Sequence, residues 1–388
     1  MKTTRPRIMT VYGTRPEAIK VAPVIKAIEA SDTLDSITVV TGQHREMLDQ
    51  VNEIFGIIPD HDLDIFEHGA TLSTIVARVL ERLDPVLEAE RPAAVVVQGD
   101  TSTSTAAALA AFHRQIPVVH VEAGLRSGNI LSPFPEEANR KITSQIAALH
   151  LAPTATSKEN LLSEGVSPDD IVVTGNTVID ALLMTVEKKT TFSDPELEDL
   201  ADSGRRMLLV TTHRRENWGG AMEGVGRALA RLAQSFPDVQ IVLPAHRNPV
   251  VREAVLPQLE GLSNVTVTEP LAYGEFTRML SLATVVLTDS GGVQEEAPSL
   301  GKPVLVMREN TERPEAVHAG TVKLIGTDEN RIVDDVSTLL SDPDAYEAMA
   351  RATNPYGDGS AARRSTGSIG HLLGIQQEVS EWDAESTR

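Results

Sequence analysis

The sequence predicts an α/β protein built from two doubly wound halves, each a parallel sheet covered by helices. Three observations carry that prediction. Short Val/Ile/Leu runs alternate with helical patterns along almost the whole chain, the rhythm stops once and restarts, and 388 residues is long for one hydrophobic core. Candidate strands are RIMTVY (7–12), ITVVT (37–41), AAVVVQ (93–98), PVVHV (117–121), LHLAP (149–153) and IVVTG (171–175). After residue 205 come MLLVT (207–211), QIVLP (240–244), VTVT (265–268), TVVLTD (284–289) and PVLVM (303–307). Continuous apolar runs of this length mark parallel strands buried on both faces. The helical period over 102–114 and 221–236 supplies crossover helices.

The break falls in EKKTTFSDPELEDLADSGRR, polar, acidic and without a strand signal, so it reads as a linker. The predicted organisation is an N-terminal domain over 1–186, a linker over 187–206, a second domain over 207–362 and a terminal segment over 363–388. The closing VSEWDAESTR reads as a frayed tail.

Composition removes several function classes. A formal net charge of -20 with no basic stripe argues against nucleic acid and anionic membranes as partners. Aromatic residues make up 3%, too few for a base-stacking platform. The absence of cysteine excludes disulfides, thiolate nucleophiles and zinc–thiolate sites, and fits a reducing compartment. No run of about 18 apolar residues could span a bilayer, and the N-terminal apolar run is too short for a signal peptide, so a cytoplasmic protein is expected. The ten histidines never fall at H-x-x-x-H or H-x-H spacing, and no protein-held metal is expected. Neither a Walker loop nor a G-x-G-x-x-G after a strand occurs, so no dinucleotide cofactor is expected either.

Doubly wound sheets bind ligands at the carboxyl ends of their strands, and with two halves the cleft between them is the expected site. The residues after each strand therefore matter most. GTRPEAIK puts Arg15 and Lys20 near a helix start, where anions are attracted but where two surface cations would also be ordinary. QGDTSTS puts Asp100 in a turn, as a ligand or as a helix cap. Glu122 closes a buried strand and is expected either to pair, with Arg126 the obvious partner, or to be used. SPFPEEANR opens a helix with Glu136 and Glu137, of which Glu137 reads as a surface residue compensating the helix dipole. In THRRENWGG, His213, Arg214 and Arg215 read as an anion contact. In TDSGGVQEEAPSLGKPVLVM, Ser290, Gly291 and Gly292 read as a turn whose N–H groups cradle phosphate, with a helix opening at Val293. Glu296 is then placed to accept ribose hydroxyls, and Glu295 reads as solvated. Phosphate-binding groups in one half and strand-end carboxylates in the other suggest a nucleotide-bearing substrate with acid–base chemistry at its far end.

Those stretches, with VYGTRPEAIKVAPVI, HVEAGLRSG, GNTVIDAL, RENTERPEAVHAGT and NPYGDGSAARR, together resemble the non-hydrolysing UDP-N-acetylglucosamine 2-epimerases, in order from about Met9 to Arg364. The resemblance implies the GT-B architecture, two Rossmann-like domains facing a central cleft with the C-terminal segment returning to the first domain. It also implies a homodimer producing UDP-N-acetylmannosamine for surface polysaccharides. By resemblance, Arg15, His213, Ser290, Gly291 and Gly292 hold the diphosphate, Glu296 takes the ribose, and Phe276 and Arg313 line the nucleotide end. Asp100, Glu122 and Glu136 surround the sugar with Lys20 nearby, and these three acids with His213 are the catalytic candidates.

The C2–H of an N-acetylhexosamine has no adjacent carbonyl. Without a nicotinamide, inversion there calls for loss of the proton together with the C1–O bond, giving UDP and 2-acetamidoglucal, then re-addition. A hydrolysing epimerase, a GT-B glycosyltransferase and a silent nucleotide-sugar binder are the rival readings. Several bacterial members bind a second substrate molecule as activator. Gln43, His44 and Arg45 match that pattern, whereas Glu46 stands where Gln is expected and Gly69 where Arg is expected, so weakened activation follows.

Overall fold

The β-branched runs form two separate parallel sheets, of seven and six strands. The structure is a computed structural model that describes residues 5–42, 45–67, 69–212, 220–245, 248–311, 313–377 and 379–384. The chain divides into two compact units, Met1–Met184 with Tyr356–Thr387, and Thr185–Pro355.

Unit 1 contains β1 (Arg7–Tyr12), α1 (Arg15–Glu29), β2 (Asp35–Val40), α2 (Arg45–Phe55), β3 (His61–Asp62), α3 (Leu72–Glu90) and β4 (Ala94–Gln98). It continues through α4 (Ser102–His113), β5 (Val118–Val121), α5 (Glu136–Ile146), β6 (Leu149–Ala152), α6 (Ala155–Ser163), β7 (Ile171–Val173) and all but the last turn of α7 (Thr177–Glu187). The order β3-β2-β1-β4-β5-β6-β7 is all parallel. Alternate residues of β1 serve opposite layers: Met9 and Val11 pack with Val79, Leu83 and Leu87 of α3, while Ile8 packs with Val24 and Ile28 of α1. Burial on both faces is why these strands read as unbroken apolar runs.

Unit 2 contains α8 (Pro195–Asp202), β8 (Arg206–Thr211), α9 (Gly220–Ser235), β9 (Val239–Pro244), α10 (Pro249–Val255), β10 (Val265–Thr268), α11 (Tyr273–Leu282) and β11 (Val285–Thr288). There follow α12 (Gly291–Glu296), β12 (Val304–Val306), α13 (Pro314–Ala319), β13 (Val322–Leu324), α14 (Glu329–Ser341) and α15 (Pro343–Ala350). The order β10-β9-β8-β11-β12-β13 repeats the doubly wound pattern. In both sheets the order reverses beside the first strand of the unit, between β1 and β4 and between β8 and β11, so the loops leaving those strands lie at the switch points where ligands bind.

Four stretches differ from the sequence reading. Strands β3 and β13, two and three residues long, carry too little apolar pattern to be seen. The 187–206 segment holds α8, begun by Asp194 accepting from Glu196 N at 3.0 Å with Pro195 in the first turn. Arg278 of α11 clamps Glu198 there through two 2.7 Å bonds and lies 4.6 Å from the Phe192 ring centroid. The described part of the tail is docked: Trp382 is 8% exposed, its N–H donates to Val173 O at 2.7 Å, and Glu381 accepts from Val173 N at 3.1 Å. One buried indole on an edge strand outweighs the polarity of its neighbours.

The chain re-enters unit 1 at Tyr356 and forms α16 (Ala361–Leu372), whose Ile369 joins the layer of Ile8, Val119 and Leu151. Asp180 of α7 caps it, accepting from Ala362 N at 2.9 Å and Ala361 N at 3.2 Å. Among the described residues no helix is long and apolar enough to cross a membrane.

Candidate active site

In unit 1 the loops after β1, β4 and β5 are tied into one cluster. Thr14 caps α1 in a capping box with Glu17. The fully buried Glu17 carboxylate accepts from Gly13 N at 2.9 Å, from Thr14 N at 2.8 Å and from the Thr101 hydroxyl beside Asp100. Burial pushes its pKa up, with those three donors opposing. Glu17 thereby fixes the β1 loop to the β4 loop, which leaves Arg15 exposed on the first turn of α1.

Glu122 follows β5 with φ of +62°, a left-handed conformation that is uncommon outside glycine and is retained where surroundings over-determine it. Its surroundings do so here. The carboxylate, 8% exposed, accepts from Lys20 Nζ at 2.5 and 2.7 Å, from Asn176 Nδ2 at 3.2 Å and from Gln98 Nε2. Arg126, the partner expected from sequence, instead makes a fork to Glu164 at 2.8 and 3.0 Å. That guanidinium, aided by Lys141, holds Glu164 down to a pKa of about 2.

Asp100 accepts from Arg140 Nε at 2.8 Å, and its backbone carbonyl accepts from Asn139 Nδ2 at 2.8 Å. Both donors come from α5, the helix that Glu136 and Glu137 open. Glu137 is fully buried, against the surface position expected, because its carboxylate organises the preceding loop: it accepts from Ser127 N at 3.0 Å, Gly128 N at 3.3 Å and Arg140 Nη1 at 3.2 Å. Its burial acts to raise the pKa, and these donors more than offset that, so the net shift is downward. Glu136 is half-buried and, among the described residues, its carboxylate has no hydrogen-bond partner. Behind this cluster His120 and His150 stand side by side on β5 and β6, and His120 Nε2 bonds Gly99 O at 2.7 Å. Burial brings both rings down to a pKa of about 4.

In unit 2, Ser290 is the N-cap of α12, so Gly291 and Gly292 are its first helical residues, two positions earlier than the predicted opening at Val293. Neither glycine needs a left-handed backbone. Gly291 is crowded: a Cβ there would stand 3.1 Å from Cζ and Nη1 of Arg313. Arg313 Nε in turn donates to Glu295 at 2.7 Å, so Glu295 is buried at 6% exposure where a solvated residue was expected. Glu296, also buried, lies beside the phenol of Tyr273, whose pKa is raised by burial and then by the Glu296 charge. Phe276 is half-buried on α11, one turn from Tyr273.

The family model for UDP-N-acetylglucosamine 2-epimerase matches residues 26–370. The Escherichia coli K12 protein named UDP-N-acetylglucosamine 2-epimerase is 52% identical over 364 residues, 92% of this chain and 96% of that one. This chain belongs to the UDP-N-acetylglucosamine 2-epimerase family. A solved family member from Neisseria meningitidis, bound to UDP-GlcNAc, superposes with a TM-score of 0.80 at 46% identity, covering 95% of this chain and 100% of that one. The glycosyltransferase of kitacinnamycin shares the fold alone, with a TM-score of 0.64 at 14% identity over 95% of this chain and all of the other. The fold is therefore two Rossmann-like parallel-sheet domains of the GT-B kind, as the sequence implied.

Within this family member, the structure gathers Lys20, Asp100 and Glu122 with α5 in unit 1, and Ser290, Gly291, Glu296 and Arg313 around α12 in unit 2. His213, Arg214, Arg215, Gln43 and His44 lie outside the described residues, as does the side chain of Glu46. Gly69 is described, in a turn with φ of +77° that an arginine would occupy under strain. Four residues escaped the sequence reading: Gln98, Asn176, Glu17 and Arg140. Gln98 and Asn176 sat inside quoted motifs, but an amide in a motif gives no signal of the carboxylate it will meet. Among the described residues no group of three or more His, Asp or Glu is placed to hold a metal ion.

Proposed function

We propose that this protein interconverts UDP-N-acetylglucosamine and UDP-N-acetylmannosamine without hydrolysis, by elimination and re-addition of UDP. A carboxylate of unit 1 removes the C2 proton as the C1–O electron pair leaves with UDP, forming the C1=C2 bond of 2-acetamidoglucal. The proton is then delivered to the other face of C2 and UDP returns to C1, so atoms and charge balance with nothing consumed. The observation that supports this most is the acid cluster at the β1/β4 switch point, where Asp100 and Glu122 are each locked by a basic side chain while Glu136 has a carboxylate with no partner among the described residues. Two faces of C2 need two proton-handling groups, each worth about 10²–10⁴-fold. In unit 2 the N-terminal turn of α12, Arg313 and His213 would take the charge growing on the departing diphosphate, with Arg15 of unit 1 assisting. Glu296 and Phe276 would bind the nucleoside. The same reading makes the enzyme a cytoplasmic homodimer that feeds polysaccharide synthesis and needs no added cofactor.

Incubation with UDP-N-acetylglucosamine in D₂O tests it. Deuterium should enter C2 of both epimers without added NAD, and UDP should not accumulate. UDP rising in step with turnover would show the hydrolysing reaction instead, and transfer only with an added sugar acceptor would show a glycosyltransferase. Asp100→Asn, Glu122→Gln and Glu136→Gln should lose the exchange and still bind UDP.

A further inference from the structure

The structure assigns a positioning role to Asn176, which lies in the loop between β7 and α7. Resting on the epimerase reading above, we infer that Asn176 holds Glu122 in its working orientation. Asn176 is 3% exposed and fills the N-cap position before α7. Its Oδ1 accepts from Val178 N at 3.1 Å, and only an oxygen can do so, which leaves Nδ2 as the group facing Glu122 Oε1 at 3.2 Å. Its backbone N–H donates to Tyr356 O at 2.6 Å, at the point where the chain re-enters unit 1. The amide is therefore anchored on two sides before it reaches the carboxylate.

That anchoring has a purpose at Glu122 because the residue stands in a left-handed backbone conformation and its Lys20 partner is a flexible ammonium. A point charge on a four-carbon stem fixes distance and leaves the carboxylate plane free to turn. Asn176 on Oε1 and Gln98 on Oε2 supply the directional bonds that set the plane. Among the described residues, Lys20 from α1 bonds Glu122, and His120 on β5 lies close enough to feel the charges of Glu122, Asp100 and Arg126.

Asn176→Asp separates this role from that of a helix cap. Aspartate caps as well as asparagine and suits the helix dipole, so a residue serving only as a cap would tolerate the change. For a positioning residue the change sets a second carboxylate against Glu122. The expected result is unaltered folding and little change in KM, with kcat lower by about 10²-fold and the acid limb of kcat/KM moved up by about one pH unit or more. If Asn176→Asp proves poorly folded, Asn176→Ser keeps a capping oxygen too short to reach Glu122 and should lower kcat in the same way. A folded Asn176→Asp with the native kcat and pH profile overturns the inference and leaves the epimerase reading intact. A wild-type enzyme that forms no UDP-N-acetylmannosamine overturns both.

Discussion

Arg313 lies against Gly291 so closely that a Cβ on the glycine would stand 3.1 Å from the guanidinium carbon. Glu295 holds Arg313 Nε at 2.7 Å, so the arginine gives way only by straining a mostly buried ion pair. Gly291→Ala should therefore displace Arg313 at a cost of about 1–2 kcal/mol. The melting temperature should fall by about 2–8 °C, and titration calorimetry should show weaker binding of UDP.

Glu137 matters more to stability. Its carboxylate satisfies two backbone amides and one arginine inside unit 1, and Glu137→Ala leaves all three short of a partner. Destabilisation of about 3 kcal/mol is expected from breaking such a buried pair. The urea midpoint should fall accordingly, and activity should fall with it, since Arg140 also orients Asp100.

Stability of unit 1 should decline on mild acidification. The folded pKa values of His120 and His150 are about 4, below the ordinary 6.5, so between these limits the unfolded chain binds two more protons. Asp180 works against this: burial raises its folded pKa from 3.8 to about 6, so there the folded chain holds the extra proton. Glu17, whose pKa burial also raises, opposes the histidines as well, so the decline is shallower than the two histidines alone would give. Further acid removes the contribution of Glu164 between 4.5 and about 2. Denaturant titrations at successive pH values should give a shallower loss for His150→Gln and a steeper one for Asp180→Asn.

Trp382 is the anchor of the C-terminal segment, with the Arg364 guanidinium 5.4 Å from its ring centroid. Trp382→Ala should destabilise unit 1 by about 3 kcal/mol. Limited proteolysis should then cut faster on either side of position 382 than it does in the native protein.

Fold class was legible because parallel strands buried on both faces leave unbroken apolar runs, and all eleven such runs became strands. The loops at the two switch points were legible for a related reason: topology fixes where ligands go before any side chain is placed. Glu137 and Glu295 were misread because an acid on a helix has the same sequence signature whether it faces water or an arginine. What decides is a partner far along the chain or behind the helix, and pattern alone does not contain it. Asn176 shows the same limit, since its target lies 54 positions away.

Helix α16 completes the layer over Val119, Leu149 and Leu151, yet it is translated only after the whole of unit 2. Until α16 is made, the first half's sheet shows bare hydrocarbon on one side, although every residue of unit 2 has already been synthesised. The N-terminal half, first out of the exit tunnel, must be the later of the two to mature. A nascent chain stalled in that interval should attract chaperones at its beginning, far from the point of synthesis.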